Sequence, residues 1–181
     1  MTGDSQLLTD YSRHGDVKSL SALVARHSRW LLAYLRGLSP TEADAEDATQ
    51  ETWMRVIRSC GSYRGGSVRA YLTKIAHSVA IDRFRRKGET VSVEAREIAP
   101  LVETLADDAP GPDERFECHA TADDVRRAVR LLPEGQREVL LMRIEGELPF
   151  REIAEIMGIP LGTALTWMHM ATRQLREKLE D

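Results

Sequence analysis

Between Arg69 and Lys87 the chain sets six basic side chains against one acid, a net charge of +5 within a stretch of helical periodicity. Lys74, Arg83, Arg85, Arg86 and Lys87 can reach phosphates, while Leu72, Ile75, Val79, Ala80 and Phe84 can face a core. Polyanion binding is the chemistry that suits such a patch. Tyr71 and Ser78 add a flat ring and a hydroxyl, side chains able to hold an unstacked base beside an electrostatic groove. A second cluster has the opposite sign. Ala45, Ala48, Thr52 and Val56 form one stripe of a helix, which gathers Asp47, Gln50, Glu51 and Met54 on another face. Taken alone, an acidic face of this kind is a solvated charge run.

A third constellation lies near the C-terminus. A short apolar helix from about Phe150 carries Ile153, Ala154, Ile156 and Met157, and Gly158-Ile159-Pro160 cannot continue it. Gly162-Thr163 then opens a longer helix with a core stripe of Ala164, Met168, Ala171, Leu175 and Leu179. Two helices across a tight turn make either a helix-turn-helix or a plain helical hairpin. In the first case Arg151, Thr163, Thr166, His169 and Arg173 supply phosphate and polar contacts. Residues 161–172 contain no Lys, Arg, Asp or Glu, and Trp167 and Met170 stand one turn apart, off the core stripe. Three readings stay open for these two residues and Leu165. They read thymine methyls, they pack on a partner or on the other half of the chain, or Trp167 is core.

No catalytic constellation stands beside these. The five histidines do not pair with acids or cysteines at ligand spacing, and Cys60 and Cys118 form no metal or redox motif. No phosphate-binding glycine loop or nucleophile elbow occurs, so neither an enzyme nor a metal or cofactor is expected. No apolar run reaches the ~20 residues of a bilayer span, and the polar start, Met1 to Gln6, is no signal sequence. The expectation is a cytoplasmic protein without membrane insertion.

The elements that must position these groups are helical. Apolar residues make up 42% and aromatic residues 6% of the 181, favouring helix formers over strand formers and predicting an all-α fold. Breaks at Gly15-Asp16, Gly37 to Pro40 and Gly61 to Gly66 divide a first helical domain, residues 1–87. Residues 88–114 hold three prolines and eight acids against Arg96 alone, an acidic linker of net charge −7. A second small helical domain follows over 115–181, with Pro133 starting a helix from Glu134 to about Glu145.

The words of both domains resemble the extracytoplasmic-function (ECF) group of sigma-70 RNA polymerase sigma factors. Leu132-Pro133-Glu134-Gly135-Gln136-Arg137-Glu138, Glu145-Gly146 and Glu152-Ile153-Ala154-Glu155-Ile156-Met157-Gly158 are similar to the domain that reads the minus-thirty-five promoter element. Asp44-Ala45-Glu46-Asp47-Ala48-Thr49-Gln50-Glu51-Thr52-Trp53 resembles the polymerase-docking helix, and residues 63–87 the promoter-melting helices. The resemblance implies polymerase docking by Asp47, Gln50, Glu51 and Met54. It implies minus-ten binding by Tyr71, Lys74, Ser78, Arg83, Arg85, Arg86 and Lys87. For the minus-thirty-five element it implies Arg151, Thr163, Thr166, Trp167, His169, Met170 and Arg173. Core RNA polymerase, promoter DNA and an anti-sigma factor are the partners implied. The sequence departs from the family pattern at Tyr71, where Trp is usual, at Ser78, where Asn is usual, and in its apolar recognition helix. Two alternatives stand beside this reading: a sigma-like decoy that binds an anti-sigma factor without reading promoters, suggested by the uncharged recognition helix, and a dimeric regulator that binds duplex DNA through the helix-turn-helix.

Overall fold

The structure, a computed structural model, describes residues 3–86 and 121–180; the acidic stretch 88–114, Lys87, Cys118 and His119 lie outside the described residues. Among the described residues every regular element is helical.

Local chemistry sets the helix ends. α1 (Asp4–His14) stops at Gly15, whose left-handed φ of 66° a Cβ would oppose. One residue on, the Asp16 side chain accepts from the Lys18 N–H and caps α2 (Val17–Leu38). α2 runs through Gly37, where the sequence predicts a break. It ends at Ser39 because the following Pro40 pushes that residue into extended backbone, ψ 146°. Thr41 caps α3 (Glu42–Ser59), a single 3-10 turn spans Cys60–Ser62, and α4 (Val68–Arg86) follows.

In the second unit, Thr121 and Asp124 form a reciprocal capping box on α5 (Ala122–Arg130). α6 (Glu134–Ile144) starts after Pro133, as that proline predicts. α7 (Phe150–Met157) ends at Gly158, again left-handed with φ 66°, and α8 (Leu161–Glu180) begins after Pro160. The helix-turn-helix is thus built where the sequence places it.

Packing follows the apolar stripes. Ala45, Ala48, Thr52 and Val56 of α3 are all buried, as are Leu72, Val79 and Ala80 of α4. They close on Leu23, Leu31, Tyr34 and Leu35 of α2, the longest apolar surface of the first unit. In the second unit Val139 and Met142 meet Ile153 and Ala164, and a smaller cluster joins Leu132, Leu140 and Ala171. Fully burying a Leu or Val is worth roughly 1.5–3 kcal/mol, so these stripes outweigh any single surface ion pair in holding the units.

The two units touch. Gly37 of α2 lacks the Cβ that would lie 2.5 Å from Leu141 Cδ1 of α6, so Leu141 seats directly on the α2 backbone. Around it, Arg69 pairs with Glu147, and His77 Nε2 lies 3.4 Å from Glu138 Oε1. No described helix is long and apolar enough to cross a membrane.

Candidate nucleic-acid interface

α3 carries the acidic face. With its four-residue stripe pointed inward, Asp47, Gln50 and Met54 are exposed and Glu51 is half-buried at the edge. Met54, 48% exposed, sets an apolar spot among the polar groups. Two arginines organise this face. Arg55 Nη2 donates to Glu51 Oε1 at 2.7 Å, and Arg55 Nη1 pairs with Asp82 Oδ2 of α4 at 2.9 Å. Burial opposes the Arg55 charge, but the Asp82 and Glu51 carboxylates outweigh it and hold the guanidinium protonated above its ordinary value. Arg83 reaches back from α4, its Nη2 3.2 Å from Asp47 Oδ2 and its Nη1 3.4 Å from Glu51 Oε2.

The sequence had not singled out Arg55. Its signal was present, since Glu51 and Arg55 stand four residues apart, the spacing that lets opposite charges meet on one helix face.

α4 divides the cationic patch. Lys74, Ser78 and Arg85 are exposed, whereas His77 and Thr73 are buried. Arg69 stacks its guanidinium 4.9 Å from the centre of the Trp30 ring and pairs with Glu147, so it faces the second unit. Arg83 faces the acids of α3. The Arg86 side chain and Lys87 lie outside the described residues. Among the described residues the basic side chains of this stretch therefore do not share one surface, and Lys74 and Arg85 are the outward ones.

Tyr71 is half-buried, its hydroxyl 2.8 Å from Ser59 Oγ and its ring edge-on to Tyr63 with centroids 5.3 Å apart. That pairing presents two aromatic rings at the start of α4. Ser78 Oγ lies 3.4 Å from Arg55 Nη1, beside the acidic face.

The helix-turn-helix displays one face of α8. Leu161, Leu165, His169 and Arg173 recur every four residues and are all exposed, with Leu165 at 38%. Arg151, at the start of α7, is exposed as well. Thr163 and Thr166 are half-buried, and Thr166 Oγ1 donates to the Gly162 carbonyl.

Trp167 points the other way. A Cβ on Gly135 would collide with the Cζ3 edge of Trp167, so the indole packs closely against the α6 backbone inside its own unit. Met170 is likewise half-buried, its sulfur 3.9 Å from Gln136 Nε2. Of the three readings open for Trp167, the structure favours packing against its own unit. Of Leu165, Trp167 and Met170, Leu165 is the exposed one, beside Leu161 on the same face.

A helical unit with an acidic face and a split cationic helix, joined to a helix-turn-helix unit, defines a two-part all-α DNA-binding protein. Residues 23–90 match the family described as Sigma-70 region 2, and residues 122–175 that described as Sigma-70, region 4. The ECF RNA polymerase sigma factor SigE of Mycolicibacterium smegmatis is 32% identical over 89% of this chain, which spans 62% of that relative's length. The RNA polymerase sigma factor CarQ of Myxococcus xanthus is 30% identical over 93% of this chain and 94% of its own length. In fold, the chain is similar to the sigma factor RpoE of Bartonella quintana, solved in complex with the anti-sigma factor NepR. The TM-score is 0.69 at 22% identity, covering 90% of this chain and 98% of that one. The chain belongs to the ECF group of the sigma-70 family, RNA polymerase sigma factors that direct transcription initiation.

Proposed function

We propose that this protein docks on core RNA polymerase through the α3 face of Asp47, Gln50, Glu51 and Met54 and directs it to promoters with two consecutive elements. The exposed acidic face on α3, one helix away from the exposed cations of α4, is the observation that supports this reading most. A basic partner surface and a polyanion can then be held at once on adjacent faces.

At the minus-ten element, Lys74, Arg85, Arg86 and Lys87 contact phosphates, and Tyr71 and Ser78 hold an extruded base. Ser78 has one hydroxyl where an amide would offer a two-point contact, so readout there is less discriminating. At the minus-thirty-five element, α8 enters the major groove with Leu165 on thymine methyls. Thr163, Thr166 and His169 make polar contacts, and Arg151 and Arg173 contact flanking phosphates. Trp167 and Met170 support α8 from behind by packing on α6.

The residues from 1 to 87 form the docking and melting domain, 88–114 an acidic linker, and 115–181 the upstream-reading domain. The protein binds and does not catalyse, and it works in the cytoplasm, where polymerase and chromosome are. An anti-sigma factor restrains it, in line with the complex known for the Bartonella quintana relative.

The test is run-off transcription by core polymerase on a pooled promoter library, with and without the protein. Discrete new transcripts whose promoters share two spaced elements are expected. Polymerase binding without new transcripts would instead favour the decoy, whose α8 has no need to read DNA; the uncharged 161–172 segment is what keeps that second reading in play.

A further inference from the structure

Arg83 is numbered among the basic residues of the promoter-melting stretch, yet its guanidinium does not face where Arg85 faces. Residues two apart on a helix point about 200° apart, so Arg83 and Arg85 lie on opposite sides of α4. Arg83 is turned toward α3, with Asp47 at 3.2 Å, Glu51 at 3.4 Å and Asp44 at 3.8 Å. Its side chain is 25% exposed, as is that of Glu51, while Asp44 lies deeper at 17% and Asp47, at 64%, is the outermost of the four.

We infer that Arg83 is a positioning residue of the polymerase-docking face, holding Asp44, Asp47 and Glu51 in one array, and is not a phosphate contact. The inference rests on the reading of α3 as that face. A phosphate approaching Arg83 meets three carboxylates around one cation, and the net interaction is repulsive. A basic partner meets the same group as a net acceptor. Each carboxylate offers about four lone-pair sites, so the exposed Asp47 can hold Arg83 and a partner's cation at once.

Residues 44, 47 and 51 fall on one face of α3, where like charges repel. Arg83 offsets that repulsion and orders the side chains before docking, which lowers the entropy lost on binding. The tie is reciprocal. Arg55 of α3 bonds Asp82 of α4, Arg83 of α4 bonds back to α3, and Glu51 is shared by both arginines through its two oxygens. The docking helix and the melting helix are therefore locked in register at the point where one meets polymerase and the other DNA.

The experiment compares Arg83→Gln, Arg83→Lys, Arg85→Gln and the double variant Asp47→Asn/Glu51→Gln in the full chain. Two readouts are taken: affinity for core polymerase without DNA, and the salt dependence of binding to a labelled single-stranded oligodeoxynucleotide. Arg83→Gln should weaken polymerase binding by about tenfold, with partial recovery in Arg83→Lys. It should leave the log–log salt slope unchanged, whereas Arg85→Gln should lower that slope by about 0.7. The loss caused by Arg83→Gln should also shrink when Asp47 and Glu51 are already neutral.

A slope reduced by about 0.7 in Arg83→Gln, with polymerase binding intact, makes Arg83 a phosphate contact and overturns the inference. An Arg83→Gln loss of the same size in the neutralised background is a general folding effect and overturns it too. If the double variant itself leaves polymerase affinity unchanged, the docking reading of α3 fails and the inference with it. If the double variant weakens docking and Arg83→Gln does not, only the positioning role falls.

Discussion

Three polar side chains, His27 and Tyr34 buried and Asp4 partly exposed, carry chemistry that the surfaces do not use. His27 is buried on α2, accepts from Trp30 Nε1 at Nδ1 and approaches Asp4 Oδ2 with Nε2 at 3.0 Å. The Trp30 N–H assigns the proton to Nε2, so the neutral ring satisfies both neighbours. Burial lowers the His27 pKa below its ordinary value, against the pull of Asp4. A depressed folded value means that the unfolded chain takes up the proton first. Stability is then complete above about pH 6.5 and is lost as the pH falls below it. The thermal midpoint should drop between about pH 7 and pH 5, and Gln at position 27 should flatten that drop. The difference between the two proteins isolates His27; equal slopes would sink the assignment. Asp4 acts in a lower window. Burial raises its pKa, Arg26 and His27 more than reverse that, and its share is lost only in acid below the ordinary carboxylate range. Tyr34 is the third. Its hydroxyl is fully buried with no hydrogen-bond partner among the described residues, and burial with the Glu138 charge keeps it neutral by raising its pKa far. Tyr34→Phe removes an unpaired group while keeping the ring, so it should be neutral or stabilising by up to about 1 kcal/mol in denaturant melts. A loss of that size would mean that the hydroxyl has a partner after all.

At the scale of elements, the helix-turn-helix depends on a close contact that no charge pattern reveals. Gly135 permits the Trp167 ring to lie on the α6 backbone, and the ring is rigid where a Leu side chain could swing aside. Gly135→Val should push α8 off α6, costing about 1–3 kcal/mol as overpacking does. The indole would then become more exposed, and its fluorescence should shift to the red relative to Trp30 and Trp53, which stay buried. An unshifted spectrum would place the ring elsewhere. α3 and α4 were legible in advance because their stripes of small and branched residues sit at helical spacing. The α8 stripe was legible only in part: Ala164 and Ala171 are fully buried, while Met168 and Leu175 are half-buried. α8 packs against α5, α6 and α7, so its inward surface is wider than one stripe, and Trp167 and Met170 belong to it.

At the scale of the molecule, the two units rest against each other through Leu141 on Gly37, with His77, Tyr34 and Glu138 clustered nearby. The Arg69–Glu147 pair at the rim is partly exposed and contributes at most about 1 kcal/mol, so the apolar seat holds most of the contact. Promoter elements centred about 25 base pairs apart are separated by roughly 85 Å of duplex at about 3.4 Å per base pair. Units in contact cannot span that distance. Fully extended, the chain between Arg86 and Thr121 is long enough to allow it at about 3.3 Å per residue. Under the proposed assignment of one promoter element to each unit, promoter reading therefore requires this contact to open. Gly37→Val, which fills the seat of Leu141, should raise the radius of gyration measured by X-ray scattering while leaving the helical circular dichroism intact. An unchanged radius would show that the Leu141 seat does not hold the units together.

The sequence by itself determined the helices, their caps and the two charge runs of opposite sign, because those depend on spacing and on side chains within a turn or two of one another. It also determined the family, through words that run in order along both units. Tertiary structure alone decided which way each cation points. Arg69, Arg83 and Arg85 read alike as bases on one helix, yet one stacks on Trp30, one sits among three carboxylates of α3, and one faces outward. Trp167 likewise became an inward residue because Gly135 lies opposite it, more than thirty residues away in the chain. A charge pattern records what a side chain can attract. Which neighbour it meets depends on packing between elements distant in sequence, and periodicity along one helix holds no record of that.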